Sequence, residues 1–250
     1  MIAVSYDSVE VLREFTEKRG ITFPLLSDAG SRVITELGLT DRDLVEHHAA
    51  FGIQTKDHQL GVAYPVTFIL DEAGVVVGRR IQPNYRAREG VQQLLEDGLG
   101  IAPTAHGEVL NASAPRVRIS AFTDSDSYVR WARTRLHVEL DVDPRWHIYS
   151  SPVPLGYTPF TVEIGSQPEV EVGAPVYPAP HPFTVKGLGE EFMVLEGLVR
   201  VVVPIAINVP PGRGVVVLNV TVRYQACSDT ECLPPSAMDL EIPLQEAPPG

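Results

Sequence analysis

The hydrophobic and polar positions follow two different periods along the chain. Before about residue 100, apolar residues such as Val11, Leu12 and Phe15 recur at helical spacing. In the second half they alternate with polar residues in steps of two, most clearly over residues 136–142 and 216–224. Helical spacing indicates amphipathic helices, and alternation indicates half-buried strands. The pattern therefore predicts an α/β domain followed by an all-β domain.

The first domain is predicted to begin with a strand at residues 2–4 and a helix. Asp7 and Glu10 have the spacing of a capping box, and Gly20 is expected to end the helix. A second short helix is expected around residues 33–37.

A polar stretch over residues 41–61 comes next. Two apolar runs at residues 66–70 and 75–81 then flank the turn sequence Asp-Glu-Ala-Gly, which predicts a β-hairpin. A last helix around Val91, Leu94 and Leu95 is expected to close the domain.

Proline marks the boundary, because 5 of the 22 prolines precede Arg116 and the other 17 follow it. The segment over residues 101–115 is polar and aperiodic, as linkers are. We therefore expect a first domain over residues 1–100, this linker, and a β-sandwich over residues 116–246.

Composition excludes several partners. The chain is 44% hydrophobic, which is enough for a real core, and its net charge is −12. Nucleic acid is not expected to bind, because the phosphate backbone needs clustered positive charge. No apolar stretch approaches the roughly 20 residues that span a bilayer, so no membrane insertion is expected. The sequence after Met1 is unlike a signal peptide.

Three segments of the first domain carry a resemblance: VSYDS at residues 4–8, FPLLSD at 23–28 and YPVTFILDEAG at 64–74. Over roughly residues 1–98 the chain resembles the thioredoxin-like fold of the peroxiredoxin (AhpC/TSA, redoxin) superfamily. The resemblance implies that Pro65 is the cis-proline facing the redox site.

The same resemblance shows what this domain lacks. The reactive cysteine of that superfamily sits on the first strand–helix unit, ahead of the strand that begins here at Ile2, and no cysteine precedes Cys227. We therefore expect an incomplete thioredoxin-like domain without a nucleophile for peroxide. It is either a scaffold or part of a truncated product whose missing segment held the cysteine and an export signal.

The two cysteines, Cys227 and Cys232, follow a predicted strand and precede a double proline. Four intervening residues can form a turn that brings the Cα atoms within disulfide range. Spacing alone leaves open a redox-active pair or a static structural disulfide. A metal site is not expected, because His147 and His181 do not make a zinc spacing with the cysteines.

The stretch YQACSDTECLPP at residues 224–235, with WHIYS at 146–150 and a Pro/Gly-rich segment at 177–189, carries a second resemblance. Over roughly residues 117–244 the chain resembles the N-terminal periplasmic domain of DsbD, the disulfide bond corrector domain. The resemblance implies an all-β immunoglobulin-like sandwich that passes reducing equivalents through a cysteine pair.

The second resemblance also implies the site. Cys227 and Cys232 would be the redox pair, with Cys232 forming the mixed disulfides. Phe183, in the segment 182–189, would be the shielding cap residue. The other residues expected near the pair are Trp146, Tyr149, Tyr224, Asp229 and Glu231. Because negative charge disfavours a thiolate, Asp229 and Glu231 predict thiols that are not acidified below about 8.5.

The function expected from these features is thiol:disulfide interchange of the protein-disulfide reductase type, without a cofactor. The donor would be a membrane-embedded thiol protein, and the clients would be periplasmic thioredoxin-like proteins, with a link to cytochrome c biogenesis. Two alternatives remain open. One is a peroxiredoxin-type antioxidant protein whose cysteine lies upstream, and the other is a non-catalytic binding module with a structural disulfide.

Overall fold

The computed structural model describes residues 1–50, 52–81, 90–101, 107–184, 191–210 and 212–247. These residues form two compact units, one ending at Ile81 and the other running from Gly90 to Ala247. Most of the regular structure is β-strand. Within these ranges no helix is long and apolar enough to cross a membrane.

The first unit begins with strand β1 (Ala3–Ser5), helix α1 (Val9–Arg19) and strand β2 (Leu25–Ser27), and the two strands pair in parallel. The helix cap differs from the prediction: Ser8, not Asp7, accepts the Val11 N–H at the N-terminus. Asp7 instead accepts a hydrogen bond from the Ser5 hydroxyl, so its carboxylate is already engaged. Gly20 ends the helix in a left-handed conformation, as predicted.

Helices α2 (Arg32–Glu36) and α3 (Leu44–Ala50) and a 3₁₀ turn (Asp57–Gln59) follow. The prediction found α2 but missed α3, which lies in the stretch that was expected to be merely polar. The hairpin is confirmed, with β3 (Val66–Leu70) antiparallel to β4 (Val76–Ile81).

The second unit opens with helix α4 (Val91–Leu99), which was expected to close the first domain. Thirteen strands follow it in the described residues of this unit. They are β5 (Leu110–Ala114), β6 (Val117–Thr123), β7 (Ser127–Tyr128), β8 (Arg133–Val142), β9 (His147–Tyr149), β10 (Thr161–Ile164), β11 (Val170–Val172), β12 (His181–Thr184), β13 (Glu191–Leu195), β14 (Leu198–Ile207), β15 (Val215–Tyr224), β16 (Ala226–Cys227) and β17 (Ser236–Glu246).

Two sheets enclose the main core of this unit. One has the strand order β11-β14-β8-β6-β5, and the other has the order β10-β15-β17-β7. Alternate residues of β8 and β15, such as Leu140 and Leu218, are buried in a single apolar cluster. The alternating pattern thus predicted these strands correctly, and the arrangement is consistent with an immunoglobulin-like sandwich.

A buried charge cluster ties α4 to the sandwich. The Asp124 carboxylate accepts hydrogen bonds from Arg135 Nε at 2.8 Å and makes a 2.7 Å hydrogen bond with His137 Nε2. Arg135 also pairs with Glu96 on α4. Because Asp124 and Arg135 are buried, their charges are compensated mainly by one another rather than by water, while Glu96 is partly exposed.

A third, small sheet with the order β12-β13-β9-β16 carries the cysteine pair. Ile148 and Ala226, which are directly opposite each other in β9 and β16, point into the main core. Their sequence neighbours therefore point to the other face of this sheet.

Candidate active site

Cys227 and Cys232 form a disulfide, with their Cα atoms 4.1 Å apart. The two sulfur-bearing residues differ in access to solvent. Cys227 ends β16 and is 0% exposed, whereas Cys232 lies in the following loop and is exposed. A reagent in solution therefore has better access to Cys232 than to Cys227.

The loop between the cysteines is a tight turn organised by Ser228. Its N–H donates to the Glu231 carbonyl at 2.8 Å, and its hydroxyl accepts from the N–H groups of Thr230 and Glu231. Serine side chains stabilise turns in this way. The turn leaves Asp229 and Glu231 exposed on either side of Thr230.

Gln225 anchors the chain next to the two cysteines. Its buried amide accepts a hydrogen bond from the Thr158 N–H at 3.0 Å and donates one to the Leu233 carbonyl at 3.1 Å. Since the Leu233 N–H also donates to the Ala226 carbonyl at 2.9 Å, the chain is fixed immediately before and after the disulfide.

The outer face of the small sheet is aromatic. Tyr149 and Phe192 are buried beside Cys227, and Tyr157 and Phe183 pack against them. The ring of Tyr149 lies 5.0 Å from that of Tyr157 and 5.3 Å from that of Phe192. This apolar surrounding disfavours a charged thiolate at Cys227.

Tyr149 contacts the exposed sulfur. Its hydroxyl lies 3.6 Å from Cys232 Sγ, which is within hydrogen-bonding distance for sulfur. Burial, with a smaller contribution from Tyr157, raises the pKa of Tyr149 to about 12. The hydroxyl therefore stays protonated at neutral pH and can donate to the sulfur.

His147 lies on the same face and is 2% exposed. Its ring is 4.3 Å from Phe183, and among the described residues its Nε2 atom has no hydrogen-bond partner. Burial lowers the pKa of His147, although Glu196 and Asp229 act in the opposite direction. The ring is therefore neutral at neutral pH.

The structure brings some of the predicted site residues together and separates others. Tyr149 and Phe183 lie in the aromatic cluster with Cys227, whereas Trp146 and Tyr224 lie in the main core. The Trp146 ring is covered by the Arg116 guanidinium at 5.0 Å. Trp146 points away because side chains alternate between the faces of a strand.

Two further predictions concern the cis-proline and the cap segment. Among the described residues, the cis peptide bond lies between Ser151 and Pro152, not before Pro65. The cis form expected at Pro65 is thus wrong for this structure, and the trans form is the intrinsic preference of an X–Pro bond. Of the predicted cap segment 182–189, residues 185–189 lie outside the described residues.

Across the described ranges, no three His, Cys, Asp or Glu side chains converge as metal ligands. Sequence reasoning gave no site role to Gln225, Tyr157 or Phe192. It considered His147 only as a metal ligand. The alternation along β9 was the available signal for His147, because it sets His147 and Tyr149 on one face.

Comparison with known families separates the chain into the same two parts. Residues 120–242 match the family described as thiol:disulfide interchange protein DsbD, N-terminal, and residues 1–79 match the AhpC/TSA family. Both resemblances noted in the sequence are confirmed. Together the matches suggest thiol:disulfide transfer. No curated protein matches the chain.

Three solved structures resemble part of the chain at low identity. The N-terminal periplasmic domain of ScsB from Proteus mirabilis is 16% identical, with a TM-score of 0.38, covering 55% of this chain and 52% of that one. The reduced Neisseria meningitidis DsbD n-terminal domain is 15% identical, with a TM-score of 0.30, covering 44% and 77%. The yeast GGA1 GAE domain is 13% identical, with a TM-score of 0.31, covering 56% and 100%. The match thus spans about half the length of the ScsB structure.

Proposed function

We propose that this protein carries out thiol:disulfide interchange through the Cys227–Cys232 pair. The observation that supports it most directly is the disulfide with one exposed and one buried half, inside the residues that match the DsbD N-terminal family. A disulfide built only for stability gains nothing from exposing one half, whereas exchange requires access to one sulfur.

The reaction proceeds in two steps. A thiolate of a reduced donor attacks Cys232 Sγ, the S–S bond breaks, and its electron pair leaves on Cys227. A second donor thiolate then attacks the mixed disulfide at the donor sulfur, which releases an oxidised donor and leaves Cys227 and Cys232 reduced. The reduced pair reverses these steps on an oxidised client.

The partners follow from the same proposal. The donor is a membrane-embedded thiol protein, and the clients are thioredoxin-like proteins of an extracytoplasmic compartment, including those of cytochrome c biogenesis. The acidic residues Asp229 and Glu231 beside the exposed sulfur favour slow reaction with random disulfides, because they disfavour the thiolate. A docked partner that supplies positive charge removes this barrier.

We propose a scaffold role for the first unit. The parallel pair β1 and β2 with α1 between them, and the hairpin β3–β4, support a thioredoxin-like arrangement. The residues that match the AhpC/TSA family contain no cysteine, so this unit as given has no thiol for peroxide chemistry.

The equilibrium reduction potential of the pair tests the main proposal. We expect a value between about −180 and −270 mV, measured by mass spectrometry of alkylated protein across a thiol redox series. A pair that stays oxidised well below about −300 mV is a structural disulfide, and the chain is then a non-catalytic binding module. Cys232→Ser, which cannot form the bond, shows whether the alkylation conditions label the buried Cys227 thiol completely.

A further inference from the structure

His147 and the buried Cys227 lie on neighbouring strands of the small sheet. In the pairing of β9 with β16, Cys227 is directly opposite His147, and Ala226 is directly opposite Ile148. Directly opposite residues of an antiparallel pair share a face, with Cβ atoms about 4.5–5.5 Å apart. Since Ile148 and Ala226 face the main core, His147 and Cys227 share the outer face.

Cys227 needs a proton acceptor during exchange. After Cys232 has formed a mixed disulfide with a client, Cys227 must attack as a thiolate to release that client. Its neighbours Tyr149, Phe192 and Val194 are buried and offer no positive charge. An ionised sulfur in such surroundings is costly unless a base takes its proton and the resulting cation stays beside it.

His147 has the properties that this step requires. The residue is 2% exposed, and no side chain or backbone group in the described part of the chain bonds its Nε2 atom. A buried polar atom in a native fold is normally bonded, so a ring nitrogen without a partner, in a residue that shares a sheet face with Cys227, calls for an explanation. The lowered pKa of His147 keeps the ring unprotonated and able to accept a proton at neutral pH.

We propose that His147 takes the proton of the Cys227 thiol when Cys227 attacks the mixed disulfide, an inference that rests on the proposed function. The Cys227 sulfur forms the bond to Cys232 Sγ, and the bond from Cys232 to the client sulfur breaks with its electron pair on the client. The proton passes from Cys227 to the imidazole and then to the released client thiolate or to water. In the opposite direction, the imidazolium returns the proton to Cys227.

Other titratable groups face His147 from each neighbouring element. Glu196 follows β13, His181 begins β12, Asp229 follows β16, and Tyr149 ends β9. The two carboxylates stabilise the imidazolium formed during the step, because opposite charges attract. His181 disfavours the imidazolium, but the His181 side chain is half exposed and lies 3.4 Å from the Glu196 carboxylate.

Reaction of the reduced protein with 5,5′-dithiobis(2-nitrobenzoate) separates the two steps, because each releases one coloured thiolate. Attack by Cys232 gives the first phase, and attack by Cys227 gives the second. For His147→Gln we expect a second phase slowed about 10²-fold at neutral pH and recovering as pH rises. The first phase should stay within about twofold. His181→Gln, the matched control, should change both rates by less than about twofold, because His181 is half exposed and its charge is screened by water.

The outcomes distinguish the two proposals. A wild-type protein that releases no second thiolate contradicts thiol exchange through the pair itself. If the wild type shows both phases and His147→Gln has the same rates and pH profile, only the role of His147 is overturned. If His147→Gln does not fold, ¹⁵N NMR of the wild type tests the role of His147 instead. The His147 ring shifts should change on reduction of the disulfide, and unchanged shifts overturn the inference.

Discussion

The hydroxyl of Tyr149 lies 3.6 Å from Cys232 Sγ, although the two residues are 83 positions apart in the chain. The contact joins the exposed sulfur to a buried aromatic ring. It forms because β9 and β16 are neighbours in the small sheet. The only polar atom of that ring is thereby aimed at the reacting sulfur.

Tyr149→Phe should raise the pKa of the Cys232 thiol by about 0.5–1 unit, because one hydrogen bond to the thiolate is lost. The rate of alkylation by iodoacetamide, measured against pH in Cys227→Ser protein, gives that pKa. Tyr157→Phe is the matched control, since the Tyr157 ring packs in the same cluster, whereas the hydroxyl within hydrogen-bonding distance of the sulfur is that of Tyr149. Equal shifts in both variants would contradict a specific role for Tyr149.

The two cysteines should differ in reactivity when each is left alone. In Cys227→Ser, the remaining Cys232 is exposed and should be alkylated at least about tenfold faster than Cys227 in Cys232→Ser. The two rates should become similar in denaturant, where burial is lost. Mass spectrometry of timed samples measures both, and equal rates in the folded protein would count against the asymmetry.

Leu140→Ala should destabilise the second unit by about 2–5 kcal/mol, because Leu140 is 0% exposed in the core between the two sheets. Leu198 in the paired strand is 63% exposed, and Leu198→Ala should cost less than about 0.5 kcal/mol. Urea unfolding followed by the fluorescence of the buried Trp146 compares the two. Similar losses would argue against the described core.

The second unit should lose stability in acid through Asp124. Burial alone raises the pKa of this carboxyl, but hydrogen bonds from His137 and Arg135 outweigh burial and lower the pKa below its ordinary value. A carboxyl whose pKa is lower in the folded protein than in the unfolded chain stabilises the fold. This stabilisation is complete well above the unfolded pKa of about 3.9, and it is lost as pH falls through the pKa of the folded protein.

Asp124→Asn should therefore flatten the fall in the free energy of unfolding below about pH 5. At neutral pH the substitution should cost about 3–5 kcal/mol, because Arg135 loses a buried partner. Urea unfolding across pH provides both quantities. Asp229→Asn, at an exposed position, is the control, and a pH profile of Asp124→Asn that matches wild type would contradict the assignment.

The long strands could be predicted from the sequence because one face of each is buried in a single core. Val216 to Tyr224 show this in their alternation. In Leu136 to Val142 the apolar positions were predicted correctly, but the intervening His137 is buried as well. Helix α3 was missed because a short helix with few buried residues leaves a weak periodic signal. The position of α4 depends on the pairing of Glu96 with Arg135, which are 39 residues apart, and no local pattern contains that information.

The candidate site was predicted only as far as local patterns allow. The two cysteines and Tyr149 were found from motifs, but Trp146 was wrongly grouped with Tyr149. Residues three apart on a strand point to opposite faces, so the sequence itself contained that correction. Phe192 and Tyr157 join the site through the register of β13 with β9, which is set by distant contacts.

A disulfide with one accessible half allows partners to exchange electrons with the protein at one sulfur only. Under the proposed function, donor and client must both be linked through Cys232, so they cannot be bound to the pair at the same time. The kinetics should then be ping-pong, with excess reduced donor competing against the client. The burial of Cys227 thereby determines the order in which the donor and the client bind and leave.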